Sequence, residues 1–202
     1  MSRLPATVLE AESVLLVGPP MSGKYDLFHR LLGEWTSEPI VISTGRTAEK
    51  VRTDHEGITN AAGENAIVID CASREQGETV EDTARTKYVD SAGNLTDIGV
   101  KFTNVVEDLG DEEDHAVGLY SISELLMYWD PERIYQFIRV LSSQATGQDW
   151  PFVSAVGSTA HDEATLHTLY EPFDRIVETR VDDEREFRVR GRVGAPTDWQ
   201  AF

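Results

Sequence analysis

A layered α/β/α fold around a mainly parallel central sheet, finished by a C-terminal β-hairpin, is what this 202-residue sequence predicts. Three observations lead there. Apolar runs of four or five residues recur along the chain, separated by longer stretches of helical periodicity, which is how a parallel α/β sheet is written. The first apolar run leads straight into a glycine-bearing loop and then an amphipathic stretch. The last two β-like runs stand on either side of Asp182, Asp183 and Glu184, the pattern of an antiparallel hairpin at a sheet edge.

Strands are expected at Ser13 to Val17, Ile40 to Ser43, Ala66 to Asp70, Ala116 to Tyr120, Phe152 to Val156 and Arg175 to Arg180. Their near-continuous apolar character marks strands covered on both faces. Helices fall between them. Gly23 to Leu32 carries Leu27, Phe28, Leu31 and Leu32 on one face, and Leu95 to Leu109 carries Leu95, Ile98, Phe102, Val105, Val106 and Leu109. In Pro131 to Ser143 the proline suits the first turn, and Ile134, Phe137, Ile138 and Leu141 form the apolar stripe. Arg175 to Val181 and Glu186 to Val193 make the hairpin. Residues 1–193 thus read as one domain and 194–202 as a loose C-terminal tail, with no internal repeat or low-complexity tract.

Composition narrows the function classes. Hydrophobic residues at 40% supply a core, so the bulk of the chain is not disordered. No apolar run approaches the roughly eighteen residues of a membrane span, and Met1-Ser2-Arg3-Leu4-Pro5 lacks the features of a signal peptide, so a soluble, cytoplasmic protein without a membrane partner is expected. The single cysteine, Cys71, excludes an internal disulfide and a cysteine-based zinc site. Acidic residues number 36 against 18 basic ones, a formal net charge of −18. Repulsion on that scale is relieved by salt, so the surface reads as halophilic, and it opposes nonspecific nucleic-acid binding. Only four lysines occur, Lys24, Lys50, Lys87 and Lys101. A late basic run, Arg185, Arg188, Arg190 and Arg192, reads as solvated edge charge that blocks sheet-to-sheet pairing. The cluster Asp111, Glu112, Glu113 and Asp114 reads as a solvated loop, because four adjacent acids do not converge on one ion. His55 and His115 read as surface residues.

The strongest chemical signal is Gly18-Pro19-Pro20-Met21-Ser22-Gly23-Lys24-Tyr25, a G-x-x-x-x-G-K string between a strand and a helix. Backbone N–H groups of such a loop close around phosphate oxygens, the helix end adds positive partial charge, and Lys24 supplies a point charge for the β- and γ-phosphates. These eight residues form the candidate nucleotide-binding site. The last position departs from the motif. Ser or Thr there places a short hydroxyl on Mg²⁺, whereas Tyr25 carries its oxygen at the far edge of a ring.

The order of these features resembles the RecA superfamily, and within it the KaiC/RAD55/GvpD-like ATPase group of archaea. The likeness runs along the whole chain. VLLVGPPMSGK resembles the group's first strand and Walker A loop, IVISTGRTAEKV its second strand and following helix, and AIVIDCAS its third strand. AVGLYSISELLMYWDPERIYQFIRVL resembles the Walker B strand and subsequent helices, while FDRIVETR with EFRVRGRV resembles the last strand and closing hairpin. In detail the chain is similar to haloarchaeal RecA-like (HTR-like) proteins. The fold so implied is a P-loop NTPase-like, RecA/KaiC-type three-layer α/β/α domain.

Carried across position by position, the resemblance implies a site that has lost its catalytic parts. Two Glu commonly follow the second strand in the group, and Gly45 and Arg46 stand there. Tyr120 stands at the Walker B aspartate. With Tyr25, that removes the direct metal ligand, its outer-shell carboxylate and the water-orienting acid. No catalytic residue is assigned. Asp70, after four apolar residues, is an alternative Walker B aspartate and the one candidate metal ligand; at a strand's carboxyl end it would otherwise cap the next turn. His161 and Asp162 fall near the group's γ-phosphate sensor, with helix capping the other role for Asp162; His167 raises the same question.

The function expected is a P-loop protein that binds ATP or ADP, with Mg²⁺ left open, as a degenerate ATPase in a regulatory or scaffold role. Two alternatives stay open: an active Mg-dependent ATPase using Asp70 or another acid, and a protein-interaction module with an empty loop. A protein partner is implied, and RecA-type rings and filaments imply a homo-oligomer, in which the late arginines would reach a neighbour's phosphate. No Lys/Arg-rich loop lies between Ser121 and Gln148 to support DNA strand exchange.

Overall fold

Alternation along β1 (Ser13–Gly18) sets the layers. Every residue of this strand is buried, with Val14 and Leu16 packing into one hydrophobic core and Leu15 and Val17 into another. A strand covered on both faces needs helices on both sides, and the computed structural model, which describes residues 4–110, 114–191 and 195–202, supplies them. On the Val14 and Leu16 side lie the short α1 (Ala6–Leu9), α2 (Lys24–Trp35) and α3 (Ala48–Thr59), through Val8, Leu27, Phe28, Leu31, Leu32 and Val51. On the other side lie α4 (Leu95–Leu109), the single turn α5 (Ile122–Leu125), α6 (Pro131–Thr146) and α7 (Glu163–Tyr170).

The remaining strands are β2 (Glu38–Ser43), β3 (Ile67–Asp70), β4 (Thr86–Tyr88), β5 (His115–Tyr120), β6 (Phe152–Gly157), β7 (Arg175–Val181), β8 (Arg185–Gly191) and β9 (Gln200–Ala201). They form one nine-stranded sheet in the order β4-β3-β2-β5-β6-β1-β7-β8-β9. Pairing is parallel from β4 to β7 and antiparallel across β7-β8 and β8-β9. The expected α/β/α layering, mainly parallel sheet and closing hairpin are all present. Parallel pairing brings the carboxyl ends of β1, β2, β5 and β6 to one edge, where ligands of open α/β sheets sit.

Close approach of α2 to the sheet depends on Gly118. A Cβ there would collide with the Phe28 ring, which is fully buried. Burying a side chain of that size contributes about 1.5–3 kcal/mol, so the glycine is tied to the packing of this layer.

Several expectations are corrected. The tail beyond the hairpin is not loose: β9 pairs with β8, and Phe202 N–H donates to the Arg185 carbonyl at 3.0 Å. The short β4 carries no apolar run and was not expected. His55 and His115 are buried rather than on the surface, at 0% and 4% exposure. His115 stacks edge-on against Trp150 and meets the Glu38 carbonyl through Nδ1 at 2.9 Å. Asp111, Glu112, Glu113, Arg192 and Val193 lie outside the described residues.

His55 faces a second fully buried histidine. His29 of α2 and His55 of α3 meet Nδ1 to Nδ1 at 3.1 Å, so one ring donates and the other accepts, and the accepting ring is neutral. Neither Nε2 has a hydrogen-bond partner among the described residues. Burial first, then the charge of its neighbour His55, pulls His29 down to about 3; Asp54 opposes and Arg46 adds to the fall. Burial also lowers His55. An unfolded histidine titrates near 6.5, so between about 6.5 and 3 the unfolded chain takes up protons that the folded pair refuses. Stability is therefore fully present above that window and falls as pH drops through it. The pH dependence of the thermal midpoint should be shallower in His29→Gln than in wild type between pH 7 and 4; identical slopes would remove the pair from the account.

Candidate functional site

The glycine-bearing loop hangs from the carboxyl end of β1, and its path is set by positions that tolerate little else. A Cβ on Gly18 would collide with Thr179 Oγ1 of β7. Met21 and Gly23 have φ of 64° and 85°, in the left-handed region, and a Cβ on Gly23 would lie 2.6 Å from the Phe202 ring. Ser22 Oγ lies 2.6 Å from Thr179 Oγ1 and donates to the Pro19 carbonyl at 2.8 Å. Pro19 and Pro20 carry no N–H, so the donors of this loop come from Met21 onward.

Gly23 is the N-cap of α2, and no side chain caps it. The longer helices α3, α4, α6 and α7 are each capped, by Thr47, Asn94, Asp130 and Asp162. The first-turn amides of α2 are thus left without a side-chain acceptor at the mouth of the loop. Lys24 Nζ donates to the Pro19 carbonyl at 2.9 Å. Burial lowers the Lys24 ammonium from the ordinary lysine range, opposed by the charge of Glu124. Amides, helix end and ammonium face a cleft of about 440 Å³ between the loop and the carboxyl ends of β2, β5 and β6.

Tyr25 does not face that cleft's phosphate end. Its hydroxyl donates to Asp54 Oδ2 of α3 at 3.0 Å, its ring packs edge-on against Tyr120 at 4.8 Å, and the Arg46 guanidinium sits 4.3 Å above it. Arg46 and Lys50 both pair with Asp54, at 3.7 and 2.6 Å. Burial and then the Asp54 charge push the Tyr25 phenol far above its usual value, and burial pushes Tyr120 up to about 12. Both phenols stay neutral. Tyr25, Tyr120 and Arg46, which the resemblance sets at the metal-ligand, Walker B and one of the glutamate positions, therefore form with Asp54 one cluster that joins α2 to α3.

Asp70 is placed elsewhere. Fully buried at the end of β3, it accepts from the amides of Ala48, Ala72 and Ser73 and from the Ser73 hydroxyl, all at 2.7–2.9 Å. It caps the turn after β3 and ties it to the start of α3, and it does not line the cleft. Asp162 caps α7 through Thr165 N–H at 2.8 Å. His161 reaches Ser123 Oγ at 3.1 Å, and that oxygen also accepts from Gly157 N–H at the end of β6. His167 is exposed beside Glu163. The late arginines are paired within the chain: Arg185 with Asp26 at 2.5 Å, and Arg188 and Arg190 with Glu178. Trp199 lies between the Arg180 and Arg188 guanidinium groups.

One residue of the cleft carries no expected role. Glu124 Oε2 accepts from Thr44 Oγ1 at 2.8 Å, Ser121 Oγ at 2.5 Å and Ser121 N–H at 3.2 Å. Its other oxygen, Oε1, lies 3.0 Å from where a Cβ of Gly45 would be. The sequence signal is Ser121-Ile122-Ser123-Glu124, a capping box directly after an apolar strand. What the box does not reveal is that its acid enters the space left by a glycine on β2's far loop.

Mg²⁺, which P-loop enzymes use to bridge terminal phosphates, does not fit these residues. Tyr25 and Tyr120, which the resemblance sets at the ligand and Walker B positions, offer phenols rather than a short hydroxyl and a carboxylate, and the Tyr25 hydroxyl is already bonded to Asp54. A phosphate fits better. The loop offers an uncapped helix end and a lysine whose present acceptor is a loop carbonyl that an anion can replace.

A family model, the family of unknown function DUF7504, matches residues 11–179. The chain belongs to DUF7504. The uncharacterized protein PH0321 from Pyrococcus horikoshii, crystallised in complex with an unknown peptide, resembles the DUF7504 chain with a TM-score of 0.60 at 13% identity, over 91% of this chain and 84% of that one. The flagellar accessory protein FlaH from Methanocaldococcus jannaschii gives 0.49 at 13% identity, over 90% and 77%. No protein with a curated description matches. The likeness to PH0321 is one of fold, a RecA-like P-loop fold, and the mainly parallel sheet with a loop after β1 agrees with it.

If Tyr25 is a bolt between helices, Tyr25→Phe in this DUF7504 chain removes a half-buried hydrogen bond and lowers stability by about 1 kcal/mol. Phosphate binding should not change. Isothermal titration with inorganic phosphate beside a denaturant melt checks both halves, and a weakened phosphate affinity at unchanged stability would return Tyr25 to the ligand.

Proposed function

We propose that this protein binds a nucleoside phosphate, ATP or ADP, in the cleft below β1's loop, and that it is a regulatory or scaffold protein in which ATP hydrolysis has been lost. One observation carries the reading. The loop keeps Lys24 at an uncapped helix start, while Tyr25 contacts both Arg46 and Tyr120, and Tyr25 and Arg46 both engage Asp54. Phosphoryl transfer depends on positioning and electrostatics, and both are depleted here.

The same reading places the chain near the KaiC/RAD55/GvpD-like group and its haloarchaeal HTR-like members, with a surface of net charge −18 suited to high salt. No helix among the described residues is long and apolar enough to cross a membrane, and the proposed compartment is the cytoplasm. The excess of acid disfavours nucleic acid as a partner. The bound peptide of PH0321 supports a protein partner, a second copy of the chain included. Pairing of Arg185, Arg188 and Arg190 within the chain argues against their reaching a neighbour's phosphate.

The test is a thermal melt with millimolar ADP in molar KCl, with EDTA or with excess Mg²⁺. A ligand bound only to the native state raises the midpoint, so wild type should shift by the same amount in both conditions and Lys24→Ala should not shift. Turnover of ATP should stay below about one per hour, since the barrier-lowering groups are missing. Normal magnesium-dependent turnover that Lys24→Ala or Asp70→Asn abolishes would establish a working ATPase instead. No shift with any nucleotide would leave the interaction module.

A further inference from the structure

Among the described residues Glu124 is the one carboxylate that lines the cleft, and its two oxygens have different fates. Three donors hold Oε2, so the group is fixed in place. Oε1 has none of them and lies over Gly45, where any side chain would push it away. Lys24 lines the same cleft and feels the Glu124 charge. In a P-loop that lysine meets the β- and γ-phosphates, and the terminal phosphate extends from the loop toward the strand ends. The strand ends here are Gly45 after β2 and Ser121 after β5, the two positions that frame Glu124.

We propose that Glu124 is a specificity-determining residue that makes the cleft favour a nucleoside diphosphate over a triphosphate. This inference rests on the nucleoside-phosphate reading above. A β-phosphate lies within reach of Lys24 and the amides of the loop and α2. A γ-phosphate must enter the space between Lys24 and Oε1, where a fixed negative charge opposes its own. With Mg²⁺ chelated, the other cation lining the cleft among the described residues is Arg46, and it is held against the Tyr25 ring and Asp54. Two like charges a few ångströms apart in a half-buried cleft repel by enough to change an affinity by about tenfold or more. The same carboxylate compensates part of the lysine charge, so the cleft without ligand does not hold a lone buried cation.

The substitution Glu124→Gln suits the test because Gln serves equally at the third position of a capping box, which keeps α5 folded. Gly45→Ala is a second route, since its Cβ would lie 3.0 Å from Oε1 and displace that oxygen by a few tenths of an ångström. Dissociation constants for ADP and ATP are measured in EDTA, at one salt concentration, for wild type and both variants. Wild type should bind ADP about tenfold more tightly than ATP, and Glu124→Gln should bring the two within about twofold, chiefly by tightening ATP; Gly45→Ala should also narrow the gap. Equal affinities in wild type, or a preference that neither variant alters, would overturn the assignment while leaving nucleotide binding in place. Wild type that binds neither nucleotide overturns both this inference and the reading beneath it.

Discussion

The position of β1 between β6 and β7 is the constraint on which the site depends. Its six residues pair with β6 along their full length and four of them also pair with β7, so the point at which the chain leaves Gly18 is fixed from both sides. Thr179 of β7 then reaches Ser22 and crowds Gly18, which carries the fixed frame into the loop itself. Glycine at 18 is needed for packing, and glycine at 23 for both a left-handed turn and the approach of Phe202. A phosphate cradle is a set of backbone donors, and donors on a loop are only as well placed as the strand that holds them.

The second structural fact is that Tyr25, Arg46 and Tyr120 are all engaged. Tyr25, Arg46, Tyr120 and Asp54 form one stacked and hydrogen-bonded cluster, continuous through the Tyr25 ring with His29 and then His55. A Ser or Thr at 25 lacks the reach to bond Asp54, and a glutamate at 46 would repel it. The residues are thus mutually dependent: the Tyr25 hydroxyl and the Arg46 guanidinium meet on Asp54 and stack on each other. Residues that interact this closely do not contribute independently, so reverting one of them breaks packing without rebuilding a metal site.

The first strand, its loop, α2 and the layered fold were legible because each is written locally: an apolar run, a glycine string and a 3.6-residue stripe. Helices ran longer than their stripes, α2 to Trp35 and α6 to Thr146, because their last turns carry few apolar residues. The histidine pair was not legible. A histidine in a helix reads as polar until the opposing helix is known, and α3 has only Ala48, Val51 and His55 buried, too weak a pattern to show which side faces α2. β9 is two residues long and has no periodicity to find. The arginine run was readable in part, since hairpin register sets Arg188 opposite Glu178 and Arg180 opposite Glu186, and cross-strand partners of opposite charge attract. Glu124 was hidden by the opposite problem. Its local signal is strong but reports a helix cap, and its place in the cleft follows only from β2 and β5 lying side by side.

Charge is arranged differently at the surface and in the cleft. Over the whole chain acid outnumbers base two to one, yet inside the site and on the hairpin the scarce cations are each held against a specific group: Lys24 against Pro19, Arg46 against Tyr25 and Asp54, Arg185 against Asp26. Salt screens the exposed acids within a few ångströms but acts less on partly buried pairs. High salt therefore removes the general repulsion that would hinder an anion from approaching so acidic a chain, while the local contest between Lys24 and Glu124 inside the cleft is screened less. An acidic surface open to screening and a cleft shielded from it are compatible for that reason, and on the proposal above the balance of Lys24 and Glu124, more than the net charge of the protein, would set which phosphate the cleft accepts.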